Sequence, residues 1–266
     1  MKDFTVCIIG CGNMGGAIAR GMVSRNIAPR DSIFLYDKDI EKMNTLAEET
    51  GCRRGDQARM VREADILVMA VKPQDFAEIF GKISDDIKGQ TIVSVMAGVS
   101  ISAIIDRLDR ENPVARAMPN LAASVGESVT CVSYNNLVSM KDEIEAIFAG
   151  IGKVIEVEER FMDAVTAISG SGPAYLFYLA GAMIEAGEES GMDKNAARDL
   201  VIQTLFGSAA FLKHSGDSPE KLIEKVASKG GTTEAALSVF DDKRLKDTLK
   251  AAIEKAKQRS EELSRG

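Results

Sequence analysis

The amino-acid sequence predicts an α/β protein, with a doubly wound sheet in its N-terminal part and an all-helical C-terminal part. Three observations predict it. Up to residue 158, short β-branched runs alternate with amphipathic stretches; these runs are apolar on both faces; beyond residue 159 none recurs. Strands apolar on both faces suit a parallel sheet covered by helices, and the alternation implies right-handed βαβ crossovers. The expected division is 1–158 for the sheet domain and 159–266 for the helical one.

The strands read as Phe4–Ile9, Ser32–Tyr36, Ile66–Ala70, Thr91–Val95 and Val114–Ala117. Val129–Val132 and Lys153–Val157 add two more, flanking a helix near Ser139–Ala149. Helical periodicity covers Met14–Ser24, Ile40–Glu49, Asp75–Ile83 and Ser100–Leu108, with Ser100 as an N-cap. In the second part, Pro173–Glu189 sets Leu176, Leu179, Ala180, Met183 and Gly187 on one stripe. Asn195–Lys213 does the same with Leu200, Val201, Leu205 and Leu212, and Ser218–Val226, Thr232–Phe240 and Asp242–Leu263 complete the array. Helices this apolar, with no sheet to cover, imply a surface that meets a second copy, and a homodimer is expected. The alternative is a monomer whose helices fold back on the sheet domain.

Composition narrows the class. The 266 residues, 45% hydrophobic and 27% charged, can bury a core without disulfides or a metal. A net charge of −7 argues against a nucleic-acid partner, which needs clustered Lys and Arg. Cys7, Cys11, Cys52 and Cys131 are scattered without metal-ligand spacing, so reduced cysteines and no metal site are expected. Met1-Lys2-Asp3 leads straight into an apolar run without the pattern of a secretory signal. With no apolar stretch of about 18 residues, the expected address is the cytoplasm, away from membranes.

Gly10-Cys11-Gly12-Asn13-Met14-Gly15 falls between the first strand and the first helix. In that place Gly10 permits a tight turn, Gly12 lets the backbone approach a pyrophosphate, and Gly15 lets helix pack on strand. The free amides at the helix start, around Asn13 and Met14, then face the phosphates. The next strand ends in Tyr36-Asp37-Lys38. An acidic Asp37 there suits the ribose hydroxyls of NAD, whereas Lys38 suits the 2′-phosphate of NADP; the two residues point in opposite directions. Two more loops lie at strand ends, Ala70-Val71-Lys72-Pro73 and Ala97-Gly98-Val99. Pro73 turns the chain out of its strand, and Gly98 omits a side chain where a nicotinamide ring would sit. With the glycine loop they outline one cofactor crevice.

The helical part contains two segments that packing alone does not require. Ser169-Gly170-Ser171-Gly172-Pro173 breaks the chain before one long helix, and Ser228-Lys229-Gly230-Gly231-Thr232-Thr233 before another. Consecutive glycines followed by hydroxyls at a helix start expose several amides, which suits a substrate carboxylate. Read as plain structure, the segment is a turn with Thr232 as N-cap. His214 is the only histidine, expected in a solvated loop, and no Ser-His-Asp set or His–Asp pair can be built around it. Reduction of a C=N bond suits such a site, because a protonated iminium accepts hydride without a strong base.

Together these residues resemble the pyrroline-5-carboxylate reductase family. The resemblance rests on Gly10–Gly15, Ala70–Pro73, Ala97–Val99, Arg116-Ala117-Met118-Pro119-Asn120, Ala164–Tyr175, Gln203-Thr204, Gly207-Ser208-Ala209 and Ser228–Thr233. It implies reduction of L-1-pyrroline-5-carboxylate to L-proline by NADPH or NADH, a Rossmann domain, and a helical domain that pairs two subunits, extending to a decameric ring of dimers. It implies that the amides around Gly230–Thr233 hold the substrate carboxylate, with the Thr233 hydroxyl facing the ring nitrogen. Glu159, Ser169, Gly170, Gly172, Ser228, Gly231 and Thr232 would line the same substrate, and Gln57 and Asn120 would join the cofactor set.

Three departures from the family pattern stand out: Lys229 replaces a proline, Leu121-Ala122-Ala123 replaces Thr-Pro-Ala, and Asp37 replaces a basic or hydroxyl residue. None removes a proposed catalytic group; each bears on substrate or cofactor preference. Two other readings compete. A β-hydroxyacid dehydrogenase needs a lysine acid, for which only Lys194 and Lys213 offer themselves, neither on an apolar stripe. A nucleotide-binding regulator has no use for the Gly230–Thr233 loop.

Overall fold

Successive side chains of a strand go to opposite faces, so a sheet covered on both sides sorts each strand's residues into two cores. The computed structural model describes residues 4–265 and shows this sorting; the Met1–Asp3 lead-in lies outside the described residues. The strands are β1 Val6–Ile9, β2 Ile33–Tyr36, β3 Arg53–Arg54, β4 Ile66–Met69, β5 Thr91–Ser94, β6 Val114–Met118, β7 Ser128–Tyr134 and β8 Gly152–Glu156. They form one sheet in the order β3-β2-β1-β4-β5-β6-β7-β8. Val6, Ile8, Ile33, Leu35, Ile66 and Val68 enter one core; Cys7, Ile9, Phe34, Leu67 and Met69 enter the other.

Three helices cover the first face: α1 Asn13–Ser24, α2 Ile40–Thr50 and, after three intervening helices, α6 Lys141–Ala149. Those three, α3 Gln57–Glu63, α4 Phe76–Ile83 and α5 Ile101–Leu108, cover the second. The doubly wound sheet is therefore present. Most boundaries lie within a residue or two of expectation, and Ser100 caps α5 by accepting the Ala103 amide at 3.1 Å. Two elements of the sheet domain were not anticipated. β3 is exposed Arg53–Arg54 with no apolar signal, and α3 is short and begins on the Asp56 cap, which accepts the Arg59 amide at 2.9 Å. One pairing also departs from an all-parallel reading, because β6 and β7 run antiparallel. The 119–127 link is too short for a crossover, which takes about a dozen residues.

The remaining helices are α7 Met162–Val165, α8 Gly172–Glu189, α9 Lys194–Ser215, α10 Pro219–Val226, α11 Thr232–Asp242 and α12 Leu245–Arg265. A π-turn over Thr166–Gly170 stands where the sequence suggested a plain break. His214 lies on the last turn of α9 rather than in a loop, its Nδ1 2.7 Å from the Ala210 carbonyl oxygen. The loop expectation missed that the helix runs on to a Gly216 C-cap with φ +70°.

By contact the chain separates into two compact units: residues up to Ser171 together with those from Ala256 onward, and Gly172–Lys255. Both apolar cores belong to the first unit. In the second, α8 and α9 pack on each other, yet Tyr178 is 85% exposed and Phe206 69%. Only Ala197 and Val201 of α9 are buried there among the described residues.

A polar cluster binds the end of α12 within the first unit. The Arg116 guanidinium is buried, 3.6 Å from Asp163 Oδ1 and 3.9 Å from Glu159 Oε1, and Ser260 Oγ donates to Asp163 Oδ1 at 2.7 Å. Removing one partner strands the other charge, a loss of about 3 kcal/mol when both are buried. Asp163 is only part-buried and Glu159 still faces Arg116, so Asp163→Ala should destabilise the protein by less than that, about 2 kcal/mol. Chemical denaturation checks it, and an unchanged midpoint would remove the cluster from the stability argument.

Candidate functional site

The glycine loop is built by close backbone approach. Gly10 has φ +107°, its amide donates to the Tyr36 carbonyl at 2.8 Å, and a Cβ there would lie 2.4 Å from the Ala70 carbonyl oxygen. A Cβ at Gly15 would lie 1.8 Å from the Gly10 carbonyl oxygen. Gly12 differs: it borders open space, it is the N-cap of α1, and no side chain caps that helix. The first and third glycines therefore fold the turn onto the sheet. The second leaves the amides beside Asn13 and Met14 facing outward, a cradle that fits a pyrophosphate.

Asp37 follows β2 and braces this loop. Its Oδ2 accepts the Cys11 amide at 2.6 Å and its Oδ1 accepts the Asp39 amide at 2.8 Å. Lys38 Nζ donates to Asp75 Oδ1 at 2.8 Å, and that carboxylate raises the lysine's pKa above its ordinary value. Burial, with a smaller push from the Asp37 carboxylate, takes the Cys11 thiol up to about 12, so it stays protonated and is no nucleophile. Gly10, Gly12, Asp37, Lys38, Ala70, Val71 and Lys72 together line a cleft of ≈ 400 Å³. Lys42, Gln74 and Asp75 share that lining. Sequence reading passed over them, because a pairing of residues 38 and 75 leaves no local signal.

Other residues expected at the cofactor lie outside that lining. Pro73 opens the single 3₁₀ turn Pro73–Asp75, which carries Asp75 to Lys38. Ala97 and Gly98 follow β5, and Gly98 has φ +74°. A Cβ at Gly98 would lie 3.0 Å from Leu263 Cβ, so α12 packs on the side that a methyl group would take. Gln57 opens α3, and its buried Nε2 has no partner. A buried amide without a partner is costly, which fits a group that completes its bonding to a ligand.

Asn120 ties down the π-turn: its Nδ2 donates to the Ser169 carbonyl at 3.2 Å, while its Oδ1 accepts the Ala122 amide at 3.1 Å. Ser169 Oγ is buried without a partner, and Gly170 sits where a Cβ would lie 2.7 Å from Met118 Cε. Glu159 caps α5 from a distance in sequence, its Oε1 accepting the Ile101 amide at 2.7 Å. These bonds give Glu159 and Asn120 bracing roles that sequence reading did not foresee.

In the second unit, Gly172 opens α8 and Gly231, not Thr232, is the N-cap of α11. Gly230 turns the chain at φ +74°, and the Gly231 amide donates to the Ser228 carbonyl at 2.9 Å. The Gly230 amide already holds a carboxylate, Glu234 Oε2 at 2.6 Å. No side chain caps α11, which leaves the amides of Thr232 and Thr233 open to an anion.

The fold and the cradle define a Rossmann-type oxidoreductase that takes a nicotinamide dinucleotide, joined to a helical region. Residues 5–98 match the family model described as NADP oxidoreductase, coenzyme F420-dependent. Residues 159–263 match the one described as pyrroline-5-carboxylate reductase dimerisation. Pyrroline-5-carboxylate reductase 2 of Bacillus subtilis is 36% identical over 261 residues, spanning 96% of this chain and 93% of its own. The structure of a Coxiella burnetii pyrroline-5-carboxylate reductase superposes with a TM-score of 0.92 at 30% identity, covering 99% of both chains. That of Plasmodium falciparum pyrroline carboxylate reductase with NADP bound gives 0.90 at 29%, again over 99% of both. The chain belongs to the pyrroline-5-carboxylate reductase family.

Because a methyl group at residue 15 would collide with the Gly10 carbonyl, Gly15→Ala must push α1 off the loop. Calorimetric titration with a reduced nicotinamide dinucleotide should show at least about a tenfold loss of affinity. Unaltered affinity would mean that the cradle is not the phosphate site.

Proposed function

We propose that this chain reduces L-1-pyrroline-5-carboxylate to L-proline with NADPH or NADH, the final step of proline biosynthesis. The observation that carries the reading is the Gly230–Thr233 helix start, a turn whose Gly230 amide already donates to one carboxylate and whose Thr232 and Thr233 amides are uncapped. It sits in a chain aligned over 96% of its length with a reductase of this name.

In this reading Gly10, Gly12, Asn13, Met14 and Gly15 take the pyrophosphate, and Ala70–Pro73 and Gln57 contact the rest of the dinucleotide. When bound, the reduced nicotinamide supplies a hydride to the imine carbon. The C=N bond becomes CH–NH, and the ring nitrogen takes a proton in the same overall change. The uncapped amides of Thr232 and Thr233 hold the substrate carboxylate and so orient the ring, while Ser228, whose carbonyl takes the Gly231 amide, shapes the turn. The Thr233 hydroxyl bonds the ring nitrogen. No strong base is needed, in keeping with a single histidine bonded to its own helix.

The 159–266 region carries the substrate loop and pairs two copies of the chain in the cytoplasm, as dimers able to assemble into a decameric ring. Its exposed Tyr178, Phe206 and Val226 supply apolar surface for that pairing. Among the described residues no helix is long and apolar enough to cross a membrane.

Purified protein given pyrroline-5-carboxylate and either cofactor should consume the cofactor and release L-proline; no turnover with both overturns the assignment. Thr233→Ala should lower kcat roughly 100-fold with dinucleotide affinity nearly unchanged. Equal losses in both would make Thr233 structural. Sedimentation should give a dimer or a multiple of it, and Phe206→Glu should shift the population toward monomer. A monomeric native protein contradicts the pairing.

A further inference from the structure

The end of β2 decides which nicotinamide a sheet of this kind takes. The residue there meets the adenosine ribose: an acidic one holds its 2′-hydroxyl, whereas a 2′-phosphate calls for a cation. Here Asp37 stands at that end and lines the cleft. Its carboxylate is fixed by the Cys11 amide at 2.6 Å and the Asp39 amide at 2.8 Å. It cannot turn away from the ribose position without undoing the glycine loop.

The nearby cations are engaged. Lys38 Nζ is 2.8 Å from Asp75 Oδ1, and Lys42 Nζ is 3.1 Å from Asp39 Oδ2. Arg53, on the far side of β2, lies over the Phe34 ring at 5.0 Å. Lys72 lines the cleft from the end of β4, two strands from β2 in the sheet order. At ordinary strand spacing that is roughly 10 Å. The ribose end of the cleft thus sets Asp37, Asp39 and Asp75 against Lys38 and Lys42. The Lys38–Asp75 pair is exposed and therefore weak, and a phosphate can compete for the lysine. A phosphate that took it would still face the Asp37 and Asp75 carboxylates.

We propose that this chain selects NADH over NADPH, with Asp37 as the selecting residue and Asp75 as a positioning residue that draws Lys38 aside. The proposal rests on the reading that the cleft binds a nicotinamide dinucleotide. The test is calorimetric titration of the full-length protein with NADH and NADPH, and with ADP-ribose and its 2′-phosphate, which isolate the adenosine end. The chain has no Trp, so heat is a better signal than intrinsic fluorescence.

The unphosphorylated ligand of each pair should bind at least about tenfold tighter. Asp37→Asn removes the charge while keeping an oxygen for one loop amide, and Asp75→Asn releases Lys38 without touching the loop. Each should narrow the ratio of the two dissociation constants by about fivefold. NADPH binding as tightly as NADH, or a ratio that neither variant moves, overturns the proposal. Those outcomes leave the cofactor reading intact, whereas failure to bind either dinucleotide overturns that reading together with this one.

Discussion

The first unit is organised around the contact of the Gly15 Cα with the Gly10 carbonyl, where helix α1 meets the strand that precedes it. A Cβ at residue 15 would stand 1.8 Å from that oxygen, so only glycine lets α1 lie this close. The same closeness points the helix's uncapped amides at the cleft and presses Gly10 against the Ala70 carbonyl on β4's side. Asp37 then links the loop to the end of β2 through the Cys11 amide. Three neighbouring strand ends are thereby joined by backbone contacts and one carboxylate. The phosphate cradle follows from tight packing and needs no dedicated binding side chain.

Where the sequence was readable, it was readable because a single physical rule governed many residues at once. Apolar runs such as Ile66–Met69 must be buried on both faces, and the Gly10–Gly15 spacing has few structural uses. Illegible features depended on partners distant in the chain. Nothing local to Glu159 announces that it caps α5 at Ile101, and nothing near Asn120 announces its bond to the Ser169 carbonyl. The packing at Gly98 was illegible for the same reason: its missing side chain accommodates Leu263, far along the chain. β3 and α3 escaped because exposed Arg53–Arg54 and a helix of about two turns carry too little periodicity.

The two glycine segments use the same physics for different ends. At Gly12 the uncapped helix start borders open space beside a cleft. At Gly231 the turn is tighter: a Cβ would lie 2.5 Å from Ser228 Oγ, and Glu234 occupies the Gly230 amide from within the chain. Gln57 Nε2 and Ser169 Oγ add buried polar atoms that find no partner within the fold.

The second unit's exposed apolar helices have a thermodynamic consequence. Two buried residues on α9 are a small core, so with the pairing proposed above Gly172–Lys255 would draw much of its stability from association. Folding free energy of such a chain includes a mass-action part, and dilution acts on it as a denaturant does. A melting temperature for this protein is then a property of a stated concentration, and heterologous expression level enters directly into how much of the chain survives folded.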